Sequence, residues 1–160
     1  ATMGLTIGIT GHTSGFGKHI AKACTQLGHN VIGFSMTNGY HFPEDIDAIF
    51  KNKYDVLINN TEFSTTQVNI ALLAHNKGIR CINIGSKITE AKVTAPYYSM
   101  KNNKLSLKMF SETNKQKELT WGFTKGHWIL ENNPHLLETI TTEDAVKEVL
   151  NELESLFNSK

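Results

Sequence analysis

The sequence predicts an α/β fold, a doubly wound parallel sheet flanked by helices, in a single trimmed domain over residues 1–160. Three observations predict it. Short apolar runs of strand length alternate with amphipathic helical segments through short loops, the pattern of βαβ crossovers. Three glycines, Gly11, Gly15 and Gly17, cluster between the first strand and the first helix. A chain of 160 residues, 39% hydrophobic and 19% charged, suits one globular core and is too short for two ordinary domains.

The elements follow in order. Leu5, Ile7 and Ile9 form a strand that ends at Thr10 and Gly11. From Phe16 the period changes: Ile20, Cys24 and Leu27 share a helical face, with Ala23 beside them and Gly28 as the stop. Val31 to Ser35 is a second strand, and a short helix begun near Pro43 carries Ile46, Ile49 and Phe50. Val56 to Asn60 is the third strand, followed by a helix around Val68 to Asn76 that Gly78 closes. Ile79 to Gly85 is the fourth strand, a helix runs from near Pro96 through Phe110, and Thr120 to Thr124 is the fifth strand. The last helix, Thr142 to Phe157, has Thr141 or Thr142 as N-cap, Glu143 and Asp144 in its first turn, and one apolar face of Val146, Val149, Leu150, Leu153 and Phe157.

Composition narrows the function classes. Sixteen Lys and Arg against fifteen Asp and Glu give a net charge of +1, with no basic stripe to follow a duplex, so nucleic acid is not an expected partner. The longest apolar runs are strand-sized, against the roughly 20 residues of a membrane span. The first residues show no basic region followed by an apolar run, so no secretory signal is expected. Cys24 and Cys81 stand apart, without redox or metal-ligand spacing, as free thiols suited to a reducing, cytoplasmic setting. Seven histidines are scattered without metal spacing, and no metal site is expected; His12, in the glycine loop, and His127 are the two placed near expected ligand positions.

The segment Thr10-Gly11-His12-Thr13-Ser14-Gly15-Phe16-Gly17 stands where backbone N–H groups and a helix dipole can hold a phosphate. A Walker A loop fails on two fixed positions, since His12 occupies the first glycine and His19 the magnesium-binding hydroxyl. The commoner Gly-x-Gly-x-x-Gly fingerprint fails on spacing, because these glycines stand 4 and then 2 apart. The spacing resembles the Thr-Gly-x-x-x-Gly-x-Gly loop of the short-chain dehydrogenase/reductase family. That resemblance implies a Rossmann-like fold and a cofactor, NADP or NAD, bound by Gly11, Thr13, Ser14, Gly15, Phe16 and Gly17. Roughly 20 residues beyond the loop, where the adenosine ribose is read, stand Ser35 and Met36. No carboxylate is there for a 2′-hydroxyl and no Arg for a 2′-phosphate; the missing carboxylate tilts the reading towards NADP.

Further segments follow in the order of the same family. Asn59-Asn60 matches half of its Asn-Asn-Ala-Gly motif, with Thr61-Glu62 in place of Ala-Gly, and implies two more cofactor contacts. Ser86 ends the fourth strand, and Tyr97-Tyr98-Ser99-Met100-Lys101 contains Tyr-x-x-x-Lys. A step of four places phenol and ammonium together on a helix face. A free tyrosine titrates near pH 10, and a nearby positive charge favours its phenolate. The resemblance implies that Tyr97 transfers the proton, Ser86 holds the substrate oxygen, and Lys101 serves both Tyr97 and the nicotinamide ribose. Val68-Asn69-Ile70 resembles the pattern around the family's catalytic Asn, but Asn69 lies only 17 residues before Ser86, so it is either catalytic on a trimmed helix or a plain polar helix residue. Of the family's Pro-Gly-x-Val-x-Thr only Gly126 remains, in Lys125-Gly126-His127-Trp128-Ile129-Leu130.

The function these readings imply is hydride transfer between a nicotinamide cofactor and a small carbonyl or alcohol substrate. The alternative is a dinucleotide-binding sensor or interaction module of the same fold with little or no turnover. The resemblance further implies a homo-oligomer paired through the helices after the third and fourth strands.

Overall fold

In the computed structural model, residues 4–13, 15–61, 65–114, 116–121, 133 and 141–158 are described. The strands β1 (Thr6–Thr10), β2 (Asn30–Phe34), β3 (Val56–Asn59), β4 (Cys81–Ser86) and β5 (Lys117–Trp121) form one parallel sheet in the order β2-β1-β3-β4-β5. Helices α1 (Gly15–Gln26), α2 (Ile46–Ile49), α3 (Thr65–Asn76), α4 (Tyr98–Thr113) and α5 (Thr142–Asn158) connect and cover it. A doubly wound sheet of this kind usually has the order 3-2-1-4-5-6. Here its third strand is missing: between β2 and β3 the chain makes only a 3-10 turn, Met36–Asn38, and the single turn of α2.

Alternation along the strands divides two cores. Ile7, Ile9, Val56, Ile58, Ile82 and Ile84 face α1 and α5, where Ile20, Cys24, Val149 and Leu153 meet them. Leu57, Phe34 and Cys81 face the other way, onto Ile49, Ile70 and Ala74. Both cores are built of buried apolar side chains, and burying one such large side chain stabilises by about 1.5–3 kcal/mol. Burial pushes the Cys24 thiol up to about 11 and the Cys81 thiol higher still, so both are protonated packing residues.

The last helix matches its sequence signals. The Asp144 N–H donates to Thr141 Oγ1 at 3.1 Å, Glu143 and Asp144 occupy the first turn, and Ala145, Val149 and Leu153 are buried. Its far end is held by Arg80, whose Nη1 donates to the Leu156 carbonyl at 3.0 Å and whose guanidinium lies 4.7 Å from the Phe157 ring centre.

Several boundaries differ from expectation. β5 begins at Lys117, three residues before the expected Thr120, because its register runs from Ile82↔Lys117 to Ser86↔Trp121. Charged Lys117 and Glu118 concealed it, since they lack the apolar signature of a strand; residues 122–124 lie outside the described set. The helix expected from Pro96 starts as a 3-10 turn, Ala95–Tyr97, and becomes α-helical at Tyr98. α3 begins at Thr65, one turn before Val68. β2 runs from Asn30 to Phe34, leaving Ser35 just past its end, and β3 ends at Asn59, leaving Asn60 beyond it. β4 starts two residues later than Ile79 and takes in Ser86.

Candidate functional site

β2 and β3 lie on opposite sides of β1, so the chain reverses direction across the sheet there, and ligands of such sheets bind outside the carboxyl ends of the strands at that crevice. The glycine loop sits on it. Gly11 and Gly15 have φ of +66° and +55°, a region open to glycine and strained for other residues. Gly17, in the first turn of α1, is buried against Gly11 and Asn60, and a Cβ there would overlap the Gly11 carbonyl. The crevice is tied shut below by Thr10, whose Oγ1 accepts from the Asn60 N–H at 2.8 Å. Phe16 leans on the apolar core under α1. Ser14 lies outside the described residues.

The loop is joined to the end of β2 by hydroxyls. Thr37 Oγ1 donates to Thr13 Oγ1 at 3.0 Å, Ser35 and Thr37 share a 2.6 Å hydrogen bond, and Thr13 Oγ1 donates to Ser35 Oγ at 3.4 Å. Asn38 fixes the turn beneath, accepting from the Ser35 N–H at 2.9 Å and donating to the Gly33 carbonyl at 2.6 Å. Met36 is 72% exposed at the rim. The sequence points to Ser35 and Met36 and not to Thr37 and Asn38; a run of Ser, Thr and Asn after a strand is the signal that marks them.

At the end of β4, the Ser86 hydroxyl accepts from the Ile88 N–H at 3.2 Å, capping the 3-10 turn Lys87–Glu90. The connection then returns to Tyr97, which packs with Met100 against buried Ile88 and Ala91. Lys101 Nζ donates to the Ala91 carbonyl at 2.7 Å. Tyr97 and Lys101 thus converge on Ala91, five residues beyond Ser86. Asn133 clamps the next residue from both sides, donating to the Lys92 carbonyl at 2.9 Å and accepting from its N–H at 2.7 Å. The stretch 122–131, with Gly126, His127 and Trp128, lies outside the described residues.

Behind this end of the sheet lies a polar network that the sequence did not disclose. Lys104 is buried on the sheet-facing stripe of α4 and donates to Gln67 Oε1 at 2.7 Å and to the Ile84 carbonyl at 2.9 Å. Gln67 Nε2 donates to the Asn59 and Ile84 carbonyls, each at 2.9 Å. The β3–β4 ladder stops at Asn59↔Asn83, so Ile84 has lost its strand partner on that side, and Gln67 and Lys104 replace it. The Asn59 amide donates to the Gln67 carbonyl at 2.8 Å and to Asn83 Oδ1 at 2.9 Å. Asn59 is therefore engaged inside the fold, and Asn60 is the member of the pair that reaches the loop. Asn69 is exposed on α3, outside this network.

Glu118 completes the polar layer. Its carboxyl lies over Gly85, where an added Cβ would come within 2.8 Å, and Thr120 Oγ1 donates to its Oε1 at 2.8 Å. Burial pushes the Glu118 carboxyl above the usual range, outweighing the Thr120 hydrogen bond and the positive charges of Lys108 and Lys104.

No protein-family model matches the sequence, and no curated protein matches it. Solved structures do match. A short-chain dehydrogenase from Streptomyces avermitilis superposes with a TM-score of 0.65 at 16% identity, over 96% of this chain and 85% of that one. The fold is Rossmann-like. A GDP-D-glycero-L-gluco-heptose synthase from Campylobacter jejuni, solved with NADPH, gives a TM-score of 0.61 at 10% identity over 77% of this chain and 48% of its own. The enzyme WbmH of Bordetella bronchiseptica, in complex with NAD+, gives 0.55 at 15% identity over 74% and 55%. The chain spans about half the length of these last two.

Two clefts lie away from the crevice of this Rossmann-like fold. One of about 390 Å³ runs between α1 and α5 beside His19, Lys22 and Lys147, and one of about 800 Å³ opens at the amino-terminal ends of β4 and β5 beside Arg80 and Lys117. Neither touches the glycine loop, Ser86 or Tyr97. No described helix is long and apolar enough to cross a membrane.

Proposed function

We propose that the protein binds a nicotinamide dinucleotide, NAD or NADP, across the carboxyl ends of β1 and β3 and transfers hydride between it and a small carbonyl or alcohol compound. The observation that carries this reading is the packing of Gly17 on Gly11 and Asn60. It brings the backbone of the glycine loop close against the amino terminus of α1, where a diphosphate finds backbone N–H groups and the positive end of the helix dipole. The hydroxyls of Thr13, Ser35 and Thr37 suit the adenosine ribose. The solved structures holding NAD+ and NADPH support the same cofactor class.

When bound, the dinucleotide supplies or accepts the hydride. The chain's own residues handle the oxygen and the proton. Tyr97 is assigned the proton transfer to the substrate oxygen in reduction and from it in oxidation. The Ser86 hydroxyl, whose lone pair receives the Ile88 N–H, keeps its own O–H to donate to that oxygen. Lys101 spends one of its three N–H bonds on Ala91 and keeps two for the ribose and Tyr97. Asn69, being exposed, receives no part in the proton path.

A second reading, dinucleotide binding without turnover, draws on the fold's own use of the same groups: Ser86 caps a turn and Lys101 holds a backbone carbonyl. Turnover of a panel of aldehydes and ketones with NADPH or NADH separates the two. Oxidation of cofactor that depends on Tyr97 supports the enzyme, and binding without oxidation supports the module.

A further inference from the structure

We propose that His12 binds a phosphate oxygen of the nucleotide as an imidazolium, so that cofactor binding takes up a proton. The inference rests on the dinucleotide reading and names a regulation of that same site. His12 lies in the loop between Gly11 and Gly15, and its ring covers Gly33 near the end of β2, so closely that a Cβ on Gly33 would overlap it. Its Nδ1 is buried and has no hydrogen-bond partner among the described residues. A buried ring nitrogen without a partner is costly, and a turn of the ring that brings it to a ligand oxygen supplies the partner it lacks.

The described elements that flank the loop offer the ring no carboxylate. β1, β2 and the turn Met36–Asn38 carry no titratable side chain, and the first turn of α1 carries no carboxylate. Lys18 and His19, in that helix, are exposed. No Lys or Arg stands between Asn30 and Phe50 to meet a phosphate there. Burial holds the free ring below its ordinary value of 6.5, with no charged neighbour among the described residues adding to the effect. An anionic phosphate beside it favours the charged form, so the value rises on binding. Between the free and the bound value, affinity increases as pH falls, by at most about tenfold per unit.

The glycine at position 33 has the same explanation. Its missing side chain makes the room in which His12 stacks, so the two residues form one device and can be tested separately. NAD+ and NADP+ are titrated calorimetrically near pH 6.5 in two buffers of different ionisation enthalpy, which counts the protons exchanged. The expected result is proton uptake by the wild-type protein that is lost in both His12→Asn and Gly33→Ala, the latter by displacing the ring. The diphosphate of NAD+ does not titrate near this pH, so with NAD+ the count belongs to the protein alone. Uptake with NADP+ alone assigns the 2′-phosphate as the partner, and uptake with both assigns the diphosphate. Binding without uptake, or uptake unchanged in His12→Asn, overturns the proposal while leaving the dinucleotide site intact. No binding of either nucleotide at any pH overturns the site and this proposal together.

Discussion

Gln67 accepts a hydrogen bond from the buried ammonium of Lys104 at 2.7 Å, and both residues donate to the carbonyl of Ile84. The pair fills the gap where β4 has outrun β3, just before Ser86. Its chemistry decides how that strand end is held: a buried ammonium is stable only while its acceptors are in place.

Removal of the acceptor is therefore worse than removal of the pair. Gln67→Leu, which takes one acceptor from the Lys104 ammonium, is expected to lower the unfolding free energy by about 2–3 kcal/mol. The double variant Gln67→Leu/Lys104→Met should recover part of that loss. Urea unfolding of the two single variants and the double variant measures the coupling. A strictly additive double variant would show that the pair does not act as a unit.

Gly17→Ala tests the packing of the glycine loop on α1. Its methyl group would overlap the Gly11 carbonyl, so α1 must move away from the loop. A cost of about 1–3 kcal/mol is expected for such overpacking, together with loss of dinucleotide binding. Gly28→Ala serves as the comparison: a Cβ there meets nothing within 4 Å, and its φ of +88° makes the cost one of backbone strain without an effect on binding.

Glu118 gives a pH dependence of defined sign. Its folded value is raised above the ordinary 4.5, so its contribution to stability is complete below the unfolded value and is lost as pH rises through the folded one. Glu118→Gln keeps the acceptor for Thr120 and removes the desolvated charge. The variant should be more stable than wild type at neutral pH and equal to it below about pH 4.5, as read by denaturant midpoints. A variant less stable at neutral pH would mean that Lys104 and Lys108 more than offset the burial of the carboxylate.

What the sequence disclosed and what it hid divide along physical lines. Apolar periodicity located β1, α1 and α5, because Ile7, Ile9, Ile20, Val149 and Leu153 are inward for reasons visible in spacing alone. The glycines of the loop were equally plain, since the positive φ of Gly11 and Gly15 and the close approach at Gly17 require that residue. Gln67, Lys104 and Glu118 were not legible: a buried Lys has the same letter and neighbours as a solvated one, and only the run of β4 past the end of β3 leaves the Ile84 carbonyl for it. Boundaries shifted for a related reason, as at β5, where pairing with β4 draws Lys117 and Glu118 into the sheet.

Tyr97→Phe addresses the chemical step. If Tyr97 moves the proton, the variant should bind cofactor as wild type does and lose about 100-fold or more in turnover of any carbonyl substrate found. Steady-state rates on that substrate measure it, and equal turnover would remove Tyr97 from the mechanism.

The central claim, a dinucleotide site on the glycine loop, is tested most directly by thermal and chemical unfolding in the presence of NADPH and NADH. At 100 times its dissociation constant a bound nucleotide should stabilise the wild-type protein by about 2.7 kcal/mol. The account predicts that stabilisation with at least one of the two nucleotides, and none with Gly17→Ala. An unfolding transition that neither nucleotide moves, at concentrations up to several millimolar, would contradict it.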